Sequence, residues 1–239
     1  MITSAQNPHL KDVRRLHRRR TRDAVGRFVA EGEDLLAAAD AAGWPAIERY
    51  CAAGSGLEGV EVAPEALHAV SALGSGTRAL AVYEQRWAAP AGPVCVALWR
   101  VGDPGNVGTV LRGAAAFGAA SVALGPGCAD PYGPKAVRAS MGAIFAVPVA
   151  RVERVDELPG ERIALVAHKG EGVKSFLAAP ESGVAKKDLT LLVGAEREGL
   201  AEEVVAACDR VAHIPIATES LNAAMAATIA LYELRMARS

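Results

Sequence analysis

Three short stretches combine glycines, polar side chains and one guanidinium in spacings that could hold a ligand and act on it. In NVGTVLRGAAAFG, Asn106 to Gly118, Asn106 has the character of an N-cap, able to accept from the unpaired N–H groups of a first helical turn. Arg112 follows six residues on, less than two turns away. Val107, Val110, Leu111, Ala114 and Phe117 provide the apolar stripe that buries the helix, so a charged residue among them belongs at an edge or a site. In LLVGAEREGL, Leu191 to Leu200, an apolar strand breaks at Gly194 and Glu196 lies in the loop that follows. Glycine allows the backbone to approach a ligand closely, and a carboxylate there can orient or accept from a donor. In IPIATESLNAAMAATIALYEL, Ile214 to Leu234, a strand ends at Pro215, and Thr218, Ser220 and Asn222 gather at a helix start. Leu221, Ala224, Met225, Thr228 and Tyr232 then share one helical face. A capped amphipathic helix accounts for part of this pattern, but one cap does not need three polar residues within five positions. Each stretch alone is common in α/β proteins.

The elements that must position these residues follow a regular alternation after Pro93. Val94–Trp99 is a continuous apolar run, as in a strand buried on both faces. A turn at Asp103–Asn106 leads into a helix that stops at Gly118. Strands are expected at Ser121–Leu124, Ile163–Ala167, Leu189–Val193 and Val211–Ile216. Helices are expected at Lys135–Met141, at Ala201–Cys208 and from about Ser220 to Arg238. This alternation implies an α/β domain with a mainly parallel sheet and helices on both faces. Before it, a basic helix is expected from roughly Pro8 to Arg22, a strand at Arg27–Ala30 and an alanine-rich helix around Gly32–Ala42. Short apolar runs separated by Gly and Pro continue to Trp87. The AAPAGP run from Ala88 to Pro93 reads as a linker, giving a smaller N-terminal α/β domain, residues 1–88, and a larger one, residues 89–239.

Composition narrows the function classes. Aromatic residues make up only 5% of the 239 residues against 51% hydrophobic, so the cores are expected to be aliphatic. No stretch reaches the roughly 20 apolar residues that cross a bilayer, and no apolar segment follows the early positive charge as in a secretory signal. No membrane association is expected, and the chain should stay in the cytoplasm where it is made. Cys51, Cys95, Cys128 and Cys208 are far apart and form no C-x-x-C pair, so neither a metal site nor a disulfide framework is expected. The net charge of −1 hides an asymmetry: residues 1–30 hold eight Lys or Arg against two acids, a surplus of six that leaves a deficit of seven elsewhere. A basic arm that neutralises the phosphates of RNA or DNA fits this distribution. A solvated charged helix or a targeting peptide would also produce it. Two other enzyme classes fail on spacing. DPGNVG lacks the G-x-G-x-x-G of a nicotinamide-binding turn, and GCADPYGPK lacks the G-x-x-x-x-G-K-[ST] of a P-loop.

Taken in order, N-x-G-x-x-x-R, G-x-E-x-x-G-L and I-P-x…S-L-N resemble the three motifs of the SpoU (TrmH-type) branch of the SPOUT methyltransferases. DPYGPKAVRASMGAIFAVPV, Asp130 to Val149, is similar to the segment between the first two. The start ITSAQNPHLKDVRRLHRRRTR, with FVAEG at Phe28–Gly32, resembles the RNA substrate-binding domain that some members carry. The resemblance implies an α/β knot, in which the C-terminal part of an open sheet is threaded into a deep trefoil knot. It also implies S-adenosylmethionine as cofactor, a homodimer whose subunits complete each other's sites, and methylation of a ribose 2′-hydroxyl in RNA. Ribosomal RNA is favoured over tRNA because of the added domain, and a non-catalytic RNA-binding protein is the rival from another class. By the same resemblance Gly194, Ile214 and Leu221 contact the cofactor, with Leu192 and Pro215 lining its pocket. Arg112 engages the target nucleotide and Asn106 positions it. Glu196 anchors its loop, and Ser220 and Asn222 orient cofactor and hydroxyl. Lys11, Arg14, Arg18, Arg19, Arg20 and Arg22 contact RNA. Arg197 departs from the family pattern, standing where a small residue is usual. His168, at a strand end near the expected site, could serve as a base, although a lone strand-end histidine is more often structural.

Overall fold

A computed structural model describes residues 1–73, 76–173 and 187–238. The basic N-terminus forms two helices where one was expected, α1 (Pro8–Arg15) and α2 (Arg19–Val25). Asn7 caps α1 by accepting from the His9 N–H at 3.0 Å, and Pro8 fits the first turn, where its missing donor costs nothing. The break falls at Leu16–Arg18 because Arg18 is extended and the Leu16 carbonyl accepts from Arg22 Nη1 at 2.8 Å. Strands β1 (Arg27–Glu31), β2 (Glu48–Ala52), β3 (Val60–Val62) and β4 (Ala79–Glu84) form a sheet in the order β1-β4-β2-β3. Helices α3 (Glu33–Ala41) and α4 (Pro64–His68) complete this unit.

The two-residue period of β1 and β4 sends side chains into two different cores. Val29, Leu80 and Val82 meet Leu10 and Val13 of α1 and Leu16 just after it, in a core that is aliphatic apart from Tyr50. Phe28, Ala81 and Tyr83 point the other way, into the second domain. There the expectation of aliphatic packing is corrected. Phe28 lies 4.8 Å from the Tyr132 ring and 5.9 Å from Phe145, and Tyr83 lies 5.1 Å from Phe145. With Trp44 and Trp87, six of the eleven aromatic residues concentrate at the contact between the domains. A low aromatic content thus marks one surface rather than none.

Two polar contacts fix the same junction. Arg22 was expected to bind RNA, but it is buried, with Nε and Nη2 2.8 and 2.6 Å from Asp130 Oδ2. Burying a guanidinium requires a carboxylate partner, and Asp130 supplies it from the other domain, so Arg22 is unavailable to phosphates. The Tyr132 hydroxyl donates to the Arg86 carbonyl at 2.5 Å and accepts from the Arg86 N–H at 3.1 Å, while burial pushes its ionisation up to about 12. Tyr132→Phe leaves both backbone groups unpaired and is expected to cost about 1–2 kcal/mol. A urea titration checks this as a lower midpoint at unchanged slope. Within the smaller domain, Glu31 at the end of β1 accepts from the Ser71 hydroxyl at 2.6 Å and the Ala72 N–H at 2.8 Å. Burial raises its ionisation, but the hydrogen bonds from His17, Ser71 and Ala72 outweigh burial and hold the carboxyl below the usual range.

The second domain starts sooner than the linker reading implied, because Trp87–Ala88 is itself a strand, β5, on the edge of the larger sheet. The others are β6 (Val94–Leu98), β7 (Ser121–Leu124), β8 (Val149–Arg151), β9 (Glu161–Leu165), β10 (Glu171–Gly172), β11 (Leu189–Val193) and β12 (Arg210–His213). They pair in the order β10-β12-β9-β11-β6-β7-β8-β5, with every pair parallel. Helix α5 (Pro104–Phe117) packs with α6 (Pro134–Ala139) and α7 (Ala143–Ala146), while α8 (Glu202–Ala206) covers the opposite face through Val204. After β12, near one edge of the sheet, the chain returns to place α9 (Ala223–Ala237) against α5 and β11. That return brings the three chemistry-bearing stretches to one end of the sheet.

Candidate functional site

The three stretches meet in a chain of hydrogen bonds that fixes its own direction. The Asn222 carbonyl oxygen caps α9, accepting from the Ala224 and Met225 N–H groups at 2.9 and 3.3 Å. Its amide nitrogen must then face outward, and it donates to Asn106 Oδ1 at 3.0 Å. The Asn106 amide in turn donates to Glu196 Oε1. Each amide orientation follows from its neighbour, so the network is consistent only in this sense. Glu196 thereby ties the loop after β11 to the starts of α5 and α9.

This arrangement corrects two expectations for Asn106. The cap of α5 is Asp103, whose Oδ1 accepts from the Asn106 N–H at 3.1 Å, because Pro104 at the first helical position makes the preceding residue the cap. Asn106 stands three residues beyond that cap, its amide turned toward Glu196 and Asn222 rather than Arg112.

Behind the network lies a cavity of about 420 Å³, a size usual for cofactor pockets. Its apolar wall includes Leu165, Val193, Ile214, Ile216 and Leu221, and its polar rim includes Glu196, Arg197 and Ser220. Gly194 and Gly199 close one side. A Cβ on Gly194 would come within 2.2 Å of the Gly199 carbonyl carbon and 2.4 Å of the Leu200 nitrogen, so the backbones meet where no other residue fits. An apolar slot edged by loop backbone suits a flat heterocycle, and exposed main-chain groups can read its edges. Such a cradle fits S-adenosylmethionine.

Leu192 and Pro215 do not line this cavity. Leu192 is fully buried on the opposite face of the sheet, packed with Cys95, Ala97 and Trp99, and Pro215 is exposed. In extended chain neighbours alternate sides, so the lining positions are Val193, Ile214 and Ile216. The period-two signal that could have found Val193 and Ile216 was already present in the sequence.

Comparison with known proteins now bears on this geometry. Residues 93–232 match the SpoU rRNA Methylase family, and residues 7–86 match the MRM3-like substrate binding domain. The chain belongs to the SpoU family. It is 31% identical to the 23S rRNA (guanosine(2553)-2′-O)-methyltransferase RlmP of Bacillus subtilis over 98% of both chains. Among solved structures, it is similar to the AdoMet-bound rRNA methyltransferase from Sinorhizobium meliloti, with a TM-score of 0.85, 30% identity, and 98% and 97% of the two chains covered. The SpoU methyltransferase AviRb from Streptomyces viridochromogenes, in complex with AdoMet, has a TM-score of 0.84 at 26% identity over 98% of both chains. The cofactor of this SpoU methylase is S-adenosylmethionine. Among the described residues, no group of three or more His, Cys, Asp or Glu could hold a metal ion, and no helix is long and apolar enough to cross a membrane.

The remaining residues of the SpoU site stand as follows. Ser220 borders the cavity, and its hydroxyl makes no hydrogen bond to any described residue. Arg112 is exposed on α5 and does not border the cavity of its own chain. It has no hydrogen-bond or ion-pair partner among the described residues. His168 has a left-handed backbone, φ 58°, and its Nε2 lies 3.0 Å from the Thr218 carbonyl oxygen. It therefore links the loop after β9 to the loop before α9, a structural task. On the smaller domain, Lys11, Arg14, Arg15, His17 and Arg18 line a groove of about 570 Å³ with no carboxylate among them. Arg19 and Arg20, next in sequence, are exposed but do not line it, and Arg19 lies 3.5 Å from Asp23.

Proposed function

We propose that this SpoU methylase transfers a methyl group from S-adenosylmethionine to a ribose 2′-hydroxyl of large-subunit ribosomal RNA, working in the cytoplasm as a homodimer. The observation that carries the reading is the Asn222–Asn106–Glu196 chain closing a glycine-lined cavity. When bound, the cofactor supplies a methyl group activated by its positive sulfur. Gly194, Ile214 and Leu221 hold it, and Ser220, whose hydroxyl is not otherwise engaged, orients it against the nucleotide. Asn222 and Asn106 have both ends of their amides committed, so they set geometry rather than react. Arg112 serves the nucleotide. A guanidinium stays protonated at any accessible pH, so it cannot accept the hydroxyl proton, but it can grip a phosphate and stabilise negative charge developing on the ribose oxygen.

The position of Arg112 outside its own chain's cavity supports a site completed by a second subunit. So does the exposed apolar stripe of Met225, Tyr232 and Met236 along α9, beside α5. The trefoil knot belongs to this reading through the SpoU family. Substrate class is favoured by RlmP and by the cationic groove on the smaller domain, whose Lys11, Arg14, Arg18, Arg19 and Arg20 would neutralise RNA phosphates. Incubating the purified protein with tritiated cofactor and either deproteinised large-subunit rRNA or tRNA tests the proposal. Label is expected in rRNA as a 2′-O-methyl nucleotide; label confined to tRNA, or absent from both, overturns it.

A further inference from the structure

A second cleft, of about 480 Å³, opens beside the cofactor cavity and shares residues 195–198 with it as a common wall. Its opposite side is formed by Arg100 and Gly127. Arg100 has φ 59°, a left-handed conformation uncommon for a residue with a long side chain. Such an outlier persists only where its surroundings enforce it, and it favours a functional reading. Here the Arg100 N–H donates to the Pro126 carbonyl at 3.0 Å, and the Trp99 N–H to that of Val193 at 2.9 Å. A Cβ on Gly127 would come within 3.2 Å of Arg100 Cγ, so the arginine stem lies directly across that glycine. The backbone aims the guanidinium along the cleft wall.

The cleft holds three carboxylates, Asp103, Glu196 and Glu198, against two guanidinium groups, so an anion is taken by the donors that the carboxylates leave free. Asp103 is engaged as the cap of α5 and Glu196 by Asn106. Glu198 lies 3.5 Å from Arg100 Nη2, with side chains 73% and 58% exposed, and so exposed a pair is weak and readily exchanged. Arg197 has no hydrogen-bond or ion-pair partner among the described residues, although it occupies the tip of the loop that both cavities share.

We propose that Arg100 and Arg197 form a phosphate clamp, gripping a phosphodiester of the RNA strand next to the methylated nucleotide. The inference rests on the RNA methyltransferase reading but concerns different residues. It gives Arg197, otherwise an unexplained departure from the family pattern, a task that a small residue could not perform. Guanidinium suits that task because its planar fork matches two phosphate oxygens at once.

The test uses Arg100→Gly, which keeps the left-handed backbone accessible, Arg197→Gly and the double variant. Binding of large-subunit rRNA is measured by filter retention across a range of salt concentrations, and binding of S-adenosylhomocysteine by calorimetry. Each single variant is expected to weaken rRNA binding about tenfold, as loss of a charged hydrogen bond does. The slope of log affinity against log salt should fall by about one per arginine. The affinity of Arg100→Gly for S-adenosylhomocysteine should not change, because Arg100 does not border the cofactor cavity. A double variant that binds rRNA within about twofold of wild type at unchanged slope overturns the clamp. So does an Arg100→Gly chain that loses S-adenosylhomocysteine affinity, because the arginine would then be supporting the loop. If the slope falls as expected but the wild-type protein transfers no methyl group, the clamp stands and the methyltransferase reading fails.

Discussion

Arg112→Ala is expected to leave the fold and cofactor affinity intact while methyl transfer to RNA falls by about two to three orders of magnitude, the usual cost of removing one preorganised charge from a transition state. The structure explains why the fold should survive. Leu111, Gly113 and Ala114 on either side are buried, but Arg112 itself is exposed and anchors nothing described. Alanine is the best helix former, so α5 loses no intrinsic stability. Arg112→Lys should restore only part of the activity, because an ammonium keeps the charge but not the planar pair of donors. The same variant addresses the dimer. If Arg112 of one subunit completes the cavity of the other, co-expressing Arg112→Ala with a cofactor-site variant produces mixed dimers with one intact site each. Recovery of roughly a quarter of wild-type activity is then expected from statistical pairing of the two chains. Tritium transfer measured on co-purified chains checks both points. Near-wild-type turnover by Arg112→Ala alone, or no recovery in the mixture, would falsify the assignment of its role or its site.

What is legible in the amino-acid sequence follows a physical division between local and distant information. The alternation after Pro93 places β6, β7, β9, β11 and β12 and helices α5, α6, α8 and α9 within a few residues, because a parallel sheet buries continuous apolar runs and glycines end helices such as α5 at Gly118. By contrast α7, β8 and β10, of two to four residues, are too short to show a period. The three polar stretches were visible because each departs from what its own element requires. Their partners were not. Nothing near Asn106 shows that its amide will meet Glu196 and Asn222, 90 and 116 positions away. Charge counting fails for the same reason at Arg22. Its surplus of basic neighbours pointed to phosphate, whereas the side chain is consumed by Asp130, 108 residues on. The errors at Leu192 and Pro215 are of another kind. One step along an extended segment reverses the face a side chain takes, and the segment runs past the end of β12 at His213, so Val193, Ile214 and Ile216 line the cavity in their place. The aromatic junction escaped because composition averages over a chain and says nothing about where a few large rings gather.

That junction sets how the molecule presents its cationic groove relative to the cofactor cavity. Phe28, Tyr83, Tyr132 and Phe145 fill the contact, and the Arg22–Asp130 pair is buried within it, so the smaller domain is fixed on the larger one rather than tethered. The groove at Lys11–Arg18 and the end of the sheet that carries the cofactor cavity then keep one relative position. Phosphate contacts made by the smaller domain can therefore determine which nucleotide arrives at Arg112, in the way that backbone contacts set register in other nucleic-acid complexes.

Gly194→Ala is expected to weaken cofactor binding by about a hundredfold or more in a chain that still folds. The new methyl group would sit 2.2 and 2.3 Å from the Gly199 carbonyl carbon and oxygen and 2.4 Å from the Leu200 nitrogen, all backbone atoms that no rotamer change can move. The loop must open, breaking the hydrogen bond from the Gly199 N–H to the Ala195 carbonyl, 2.9 Å in the closed form. Residues 195–199 form one wall of the cavity, so opening them removes that wall and displaces Glu196 from Asn106. Loss of two or three main-chain contacts together lowers affinity by about a hundredfold or more. Gly199→Ala separates steric from conformational causes. Nothing lies within 4 Å of a Cβ there, but φ is 67°, so the penalty is only the roughly 1 kcal/mol of a left-handed alanine and binding should weaken about fivefold. Calorimetric titration with S-adenosylhomocysteine, alongside far-ultraviolet circular dichroism, distinguishes the two variants. If Gly194→Ala bound the ligand as tightly as Gly199→Ala, the close backbone crossing would not be what shapes the pocket, and the cofactor would have to be held elsewhere.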